Sequence, residues 1–234
     1  MSKSVVFFAP DSAIGNLEGW EIQSGSNPSI SRQRAQALGA NGDEIASAQY
    51  GAQIAYSMNY KAKVFEGTLT IPKAGAVVNG THIDSVELAY SQTDYPSLSV
   101  SAHSHAKLDG TPKSHDTCRT YSPSLAFPAR AIGIPSALTG AFTCPEGVGI
   151  RALSYTLTCN HVDEMDGEGE QLAGDNYDGS ETLTIEFTGE VSAAELNIGN
   201  GWMLPESEAI TRGNTQAHTT SITLTRHIAC DQGE

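Results

Sequence analysis

Apolar and polar residues alternate with a period of two along most of the chain. The clearest runs place Leu, Val or Tyr against Ser and Thr, as in residues 98–102 (LSVSA) and 153–159 (LSYTLTC). The same alternation fills residues 54–60, 86–90, 183–187 and 222–225. Because successive side chains of a strand point to opposite faces, the pattern predicts strands with one buried face. Ser and Thr at the polar positions favour antiparallel sheets whose other face is wet.

Helical patterns are few and short. Residues 29–38 (SISRQRAQAL) predict one short helix, and residues 44–49 predict a further helical turn. A third segment covers residues 192–197, where Ser192 and Glu195 have the spacing of a capping box. One or two of these segments are expected to pack as short helices on the sheet.

Two segments lack a clear period and predict long loops. Residues 107–137 contain four prolines, and residues 160–180 are a run of glycine and carboxylate residues. No linker and no internal repeat interrupts the chain. We therefore predict a single mainly β domain over residues 1–234, an antiparallel β-sandwich or barrel with one or two short flanking helices and long loops.

Charge narrows the choice of partner. The chain of 234 residues carries 13 Lys and Arg against 27 Asp and Glu, a formal net charge of −14. Such a surface repels phosphate backbones, so sequence-reading binding of nucleic acid is not expected. No basic amphipathic helix and no long apolar run indicates a membrane partner.

The cysteines and the N-terminal residues bear on the compartment. The apolar run at residues 5–10 is too short for a signal-peptide core, which predicts manufacture in a cytoplasm. Cys118, Cys144, Cys159 and Cys230 show no CxxC spacing, and in a reducing compartment we expect four unpaired thiols. Cys159 follows the alternation of its strand and is expected to point into the core.

A pair of histidines is the first candidate for chemistry. His103 and His105 form an HxH motif, which places two imidazoles on one face of a strand and can chelate zinc. That face lies opposite Leu98 and Val100, so the pair is expected to be accessible. The nearest further ligand is His115, in a proline-rich segment of unknown path. We therefore expect no structural metal and no cofactor, and leave open whether the three histidines bind an adventitious metal.

An acidic run is the second candidate. It does not fit the EF-hand calcium loop, because a loop that starts at Asp163 has Met165 third and Glu168 sixth. We expect a solvated loop instead. Its carboxylates are Asp163, Glu164, Asp166, Glu168, Glu170, Asp175 and Asp178. GxSxG, HExxH and P-loop motifs are absent from the sequence, so we predict no catalytic residues and no enzyme.

Two stretches, residues 44–94 and residues 150–191, each contain strand patterns connected by polar turns. In the second stretch the last strand pattern has the sequence ETLTIEFTG. Together they resemble tail tube and related virion proteins of tailed bacteriophages and prophages, over under half of the chain. The resemblance implies a β-sandwich or barrel with a flanking helix, long loops or hairpins that bridge neighbouring subunits, and stacked rings around an acidic channel through which DNA slides. It assigns no role to any single residue.

The functional prediction is a virion structural protein, most simply a tail tube-type subunit that assembles with itself into rings or a tube in the virion tail. Expected partners are further copies of the chain, other virion proteins and DNA as a cargo that does not adhere. The acidic run is expected to line the channel. Apolar residues in the segment 107–137 are the candidates for the subunit interface, namely Tyr121, Leu125, Phe127, Ile132 and Ile134. A capsid-decorating protein and a β-sandwich module that binds carbohydrate or a receptor are the alternatives.

Overall fold

The computed structural model of the chain describes residues 17–25, 29–64, 68–78, 81–91, 93–110, 124–128, 141–204, 211–212 and 219–228. Regular structure in these ranges is almost all β-strand, with one short 3-10 helix, Ala193–Glu195. The predicted mainly β, antiparallel class is therefore confirmed.

The strands are numbered in chain order. They are β1 Trp20–Gly25, β2 Ser29–Leu38, β3 Glu44–Ala62, β4 Thr68–Pro72, β5 Val77–Val78, β6 Thr81–Ser91, β7 Ser97–His105, β8 Ser124–Pro128, β9 Gly149–Met165, β10 Gln171–Thr188, β11 Thr211–Arg212 and β12 Thr219–Ile228.

One large antiparallel sheet contains ten of these strands. Its order is β1-β3-β7-β6-β9-β10-β12-β11, with β2 added to β3 and β5 added to β6. Strands β4 and β8 form a separate antiparallel pair. β6 lies between β7, the next strand along the chain, and β9, which is distant in sequence, so these three strands are neighbours at the centre of the sheet.

The main core lies on one face of the large sheet, where the predicted alternation is confirmed. Val86, Leu98 and Leu183 are examples of its apolar residues, and each of them is at most 1% exposed. Leu69 and Ile71 of β4 belong to the same cluster. Burial of each large apolar side chain stabilises the fold by about 1.5–3 kcal/mol, so this face fixes the register of the central strands.

The predicted helix at residues 29–38 and the helical turn at residues 44–49 are wrong. Residues 29–38 are strand β2, and residues 44–49 begin strand β3, so the two form a hairpin. Asn41 and Gly42 lie in the turn between them, where Gly42 has φ +83°. Glycine adopts this left-handed conformation at no steric cost, which favours a turn over a continuous helix. The third segment is confirmed only as a 3-10 turn, in which the amide of Ser192 donates to a Glu195 carboxylate oxygen at 2.8 Å.

The predicted loops also need correction. Residues 160–180 are mostly the end of the β9–β10 hairpin, with a tight turn only at residues 166–170. There Oδ1 of Asp166 accepts hydrogen bonds from two turn amides, which closes the hairpin. In the segment 107–137, strand β8 places Leu125 and Phe127 opposite β4. His115, Tyr121, Ile132 and Ile134 lie outside the described residues.

The prediction of four unpaired cysteines is wrong. Cys159 is disulfide-bonded, although it does lie against the main core as its alternation predicted. Cys144 is a free thiol, and Cys118 and Cys230 lie outside the described residues. Because disulfides are typical of oxidising compartments, the cysteines no longer support the cytoplasmic argument. Within the described ranges, no helix has the length and apolar character needed to cross a membrane.

Candidate functional site

Four histidines meet on three neighbouring strands of the large sheet. His82 comes from β6, His103 and His105 from β7, and His161 from β9. One ring nitrogen from each lies within 4.8 Å of those of the other three. The ring centroids are 4.4–5.7 Å apart, and the rings of His82 and His103 stack with an interplanar angle of 7°. We call these four residues the histidine cluster.

A β-bulge brings the cluster together. The β6–β7 register shifts between Ile83 and Ser85, so Asp84 is the extra residue of β6. Beyond the bulge the alternation of β6 reverses, and His82 becomes the direct cross-strand partner of His103. Bulges of this kind redirect side chains and occur often next to functional sites.

Three of the four histidines are buried and His161 is partly buried, which corrects the expectation of an accessible HxH pair. His105 has no exposed surface and His103 is 7% exposed, while His82 is also buried. The backbone of β10 closes the site at Gly174, where a Cβ atom would lie 2.7 Å from Nε2 of His161. A side chain at this position would collide with the imidazole, so glycine permits the close approach.

Two of the imidazoles are oriented by partners outside the cluster. Nδ1 of His103 lies 2.6 Å from Oδ1 of Asp84. Nδ1 of His161 lies 2.8 Å from Oδ1 of Asn176. The amide of Asn176 donates to the carbonyl oxygen of Gly75 at 2.6 Å, so its Oδ1 faces the ring as an acceptor. Both rings therefore turn Nδ1 outward to an acceptor. Nε2 of His103 is then left facing the other histidines, whereas Nε2 of His161 contacts Asp163.

Asp163 is the carboxylate of the cluster. Its Oδ1 lies 2.7 Å from Nε2 of His161, 3.3 Å from Nε2 of His105 and 3.0 Å from the amide nitrogen of Gln171. Its Oδ2 accepts a hydrogen bond from Gln53 of β3 at 3.0 Å. Asp163 was expected to face water in a channel, and this expectation is wrong because the carboxylate is turned inward and fully paired.

The electrostatics of Asp163 and His161 follow from these contacts. Burial raises the pKa of Asp163, but the hydrogen bond from His161, the charges of His105 and His161 and the hydrogen bond from Gln171 outweigh it and lower the pKa to about 2. Burial lowers the pKa of His161, but its bonds to Asp163 and Asn176 and the nearby carboxylate charges raise the pKa above its ordinary value. The carboxyl group of Asp163 is therefore ionised at neutral pH.

The other acidic candidates lie near the end of the β9–β10 hairpin rather than in a long loop. Glu164, Glu168, Asp175 and Asp178 are exposed, and Asp166 and Glu170 are half-buried. Oδ1 of Asp166 accepts its hydrogen bonds from the turn amides. The structure therefore brings these six carboxylates to one hairpin but does not gather them around a common point with Asp163.

Sequence reasoning found two of the four histidines. It proposed His115 as the third ligand, and missed His82 and His161. A signal for His161 existed, because it continues the alternation of Leu157 and Cys159. No local signal identifies His82, since its place opposite His103 depends on the bulge at Asp84. Four imidazoles are nitrogen ligands for transition metals.

A second feature is an exposed arm. We define the arm as β2, the turn at residues 39–43 and residues 44–50 of β3. Every residue of β2 is exposed, as are residues 44–49. Ile30, Leu38 and Ile45 are large apolar residues on the arm, and Ile45 is 72% exposed.

The arm has two different faces. One carries a polar network, in which Arg34 donates to both carboxylate oxygens of Glu44 and Gln36 donates to the same carboxylate. The other carries two alanine pairs that face each other across the strands, Ala35 with Ala48 and Ala37 with Ala46. Small side chains leave that face flat, so a second β surface can approach it closely.

Compared with protein-family models and with curated proteins, the chain matches none of them.

Proposed function

We propose that the chain is a self-assembling structural subunit of a virion, most simply of the tail tube type, and that its arm contacts a second copy of the chain. The observation that carries the proposal is the arm itself. It is a long hairpin, and all ten residues of β2 and residues 44–49 of β3 are exposed, so neither face of the hairpin is covered. The resemblance of residues 44–94 and 150–191 to tail tube proteins supports the same assignment.

An isolated two-stranded ribbon is at best marginally stable in water. Ordering each of its residues costs about 1–2 kcal/mol of backbone entropy, and the arm buries little apolar surface to offset that cost. Ile30, Leu38 and Ile45 would lose their contact with water against a partner, which would stabilise the arm. A second copy of the chain is a partner that is present wherever the chain itself is made.

The edges of the arm favour such a contact. Among the described strands, none pairs with the outer edge of β2. Open edges accept a further strand through backbone hydrogen bonds. An arm that binds a different surface of the next copy makes a heterologous contact, and repetition of that contact closes a ring when the rotation allows it.

The charge suits a channel for DNA. The net charge is −14, and Glu164, Glu168, Asp175 and Asp178 are exposed near the end of the β9–β10 hairpin. A wall with this charge repels the phosphate backbone, so DNA would pass without adhering. Repulsion between copies weakens with added salt, so assembly should be stronger at high salt than at low salt.

The test compares two double variants by sedimentation velocity at low and high salt. Leu38→Ser with Ile45→Ser removes the apolar side chains at the tip of the arm. Ile22→Ser with Met203→Ser removes two exposed apolar side chains of similar size outside the arm, 42% and 55% exposed. The proposal expects oligomers for the wild type and the control, and monomers for the arm variant.

Two results would contradict the proposal. A wild type that stays monomeric at high concentration in both salts would leave the binding module as the better function. An arm variant that assembles as well as the control would place the interface outside the arm. A capsid-decorating protein that assembles through another surface would give this result.

A further inference from the structure

Against the expectation from the sequence, we propose that the histidine cluster is a structural binding site for one divalent transition-metal ion of the zinc class. The site would be formed by His82, His103, His105 and His161, with Asp84 and Asp163 as the carboxylates that hold the ligands and balance the charge. This inference is independent of the proposed function, because it depends only on the interior of the large sheet.

The donor set selects the class of metal. Imidazole nitrogen suits zinc, copper, nickel and iron, whereas calcium and magnesium require mostly oxygen ligands. Four nitrogens at about 2.0–2.1 Å from a central zinc ion are roughly 3.4 Å from one another in a tetrahedron. The ring nitrogens of the cluster lie within 4.8 Å, so side-chain rotations that close the widest pair by about 1.4 Å would complete the site.

The partners outside the cluster have the arrangement found around metal-bound histidines. In such sites the imidazole donates its second N–H to a carboxylate or carbonyl group, which fixes the tautomer and the ring orientation. Asp84 does this for His103, and Asn176 does it for His161. Nε2 of His103 is buried and has no hydrogen-bond partner among the described residues, so a lone pair of this atom is available to an ion.

Charge balance favours a divalent ion. A buried dication is costly unless nearby anions compensate its charge. The two carboxylates in contact with the cluster, those of Asp84 and Asp163, together carry two negative charges. Four neutral imidazoles, two carboxylates and one divalent ion therefore give a site with no net charge.

The expected role is structural. Four protein ligands in a buried site leave no open position for a substrate, which is the mark of structural rather than catalytic zinc. The ion would join β6, β7 and β9 at the root of the arm, where Gln53 of β3 pairs with His105 and donates to Asp163. Binding should therefore raise the unfolding temperature, because the ion binds only the folded site.

The primary experiment uses the full chain without an affinity tag, with its free thiols alkylated so that cysteine does not contribute ligands. The protein is stripped with EDTA, dialysed, and titrated with zinc chloride by calorimetry and by thermal unfolding. We expect one zinc ion per chain and a rise in the unfolding temperature. Calcium and magnesium at the same concentrations should give neither. A wild type that binds no stoichiometric zinc at micromolar concentration would overturn the proposal.

Variants locate the ion. His103→Gln and His161→Gln each remove one ligand, and we expect zinc affinity to fall by roughly 100-fold or more, since loss of an outer partner alone costs about 10–100-fold. His227→Gln is the control, because its side chain is 73% exposed on β12 and lies outside the cluster. Equal affinity in all three variants would place the zinc elsewhere and overturn the proposal.

A measurement on the wild type covers the case in which a cluster variant does not fold. X-ray absorption at the zinc edge counts the imidazole ligands directly. Four imidazoles, with or without one carboxylate oxygen, support the site. Two or fewer imidazoles, or any sulfur ligand, would contradict it.

Discussion

Oδ1 of Asp84 lies 2.6 Å from Nδ1 of His103, at the point where β6 carries its bulge. The contact requires a proton on Nδ1, so the neutral ring has its lone pair on Nε2, which faces the buried cluster. The bulge thus does two things: it turns His82 toward His103, and it supplies the carboxylate that sets the tautomer of His103.

The role of Asp84 can be measured through zinc affinity. Asp84→Ala should weaken zinc binding by about 10–100-fold, because His103 loses the acceptor that orients it. Asp84→Asn should lose less zinc affinity than Asp84→Ala, since its amide oxygen can still accept the hydrogen bond from Nδ1 of His103. Asp94→Ala is the control, because Asp94 pairs with Lys61 on the surface. Equal affinities in the Asp84 and Asp94 variants would show that the contact does not hold a ligand.

An ion pair between β10 and β12 gives a stability prediction. Glu181 is buried, accepts a hydrogen bond from the hydroxyl of Tyr155 at 2.7 Å and forms a salt bridge with Arg226. Glu181→Gln should lower the free energy of unfolding by about 2–3 kcal/mol, since it weakens a charged hydrogen-bond network out of water.

The matched control lies on the same strand. Glu186 forms a salt bridge with Arg151 at 3.1 Å, and both side chains are substantially exposed. Glu186→Gln should lower the free energy of unfolding by less than about 1 kcal/mol, as is usual for surface ion pairs. Urea unfolding of both variants measures the difference, and equal losses would contradict the buried network.

Alkaline pH should destabilise the fold through Tyr60. Burial raises the pKa of Tyr60 to about 12, whereas in the unfolded chain it ionises near 10. The unfolded state therefore loses its proton first as pH rises, and this residue's contribution falls by about 2–3 kcal/mol between pH 10 and pH 12. Tyr60→Phe should show a shallower loss of stability in that window. Identical slopes for wild type and variant would contradict the prediction.

The sequence predicted the central strands well, because their burial is one-sided. Leu98 and Val100 alternate with serines. The structure buries the two apolar residues and leaves the serines half-buried or exposed. The same reasoning failed for the arm. Neither face of β2 is buried, so the only remaining signal was the helix propensity of its Arg, Gln and Ala residues. Asn41 and Gly42 were the better guide, since Asn-Gly is a strong hairpin signal.

The histidine cluster shows a second limit of sequence reasoning. HxH correctly placed His103 and His105 on one face, since that depends only on the period of a strand. Their burial and their neighbours depend on which strands pair. β6 and β7 are consecutive, but β9 pairs with β6 across a long stretch of sequence. Asp163 shows the same limit, because an acidic run gives no sign of which carboxylate turns inward.

The central claim is that this chain assembles with itself. Negative-stain electron microscopy of the purified full chain, at low and high salt, tests it most directly. The account predicts rings or stacked tubes with a central channel, more abundant at high salt, because screening reduces the repulsion between chains of charge −14. A field of single small particles at every salt and protein concentration would contradict it.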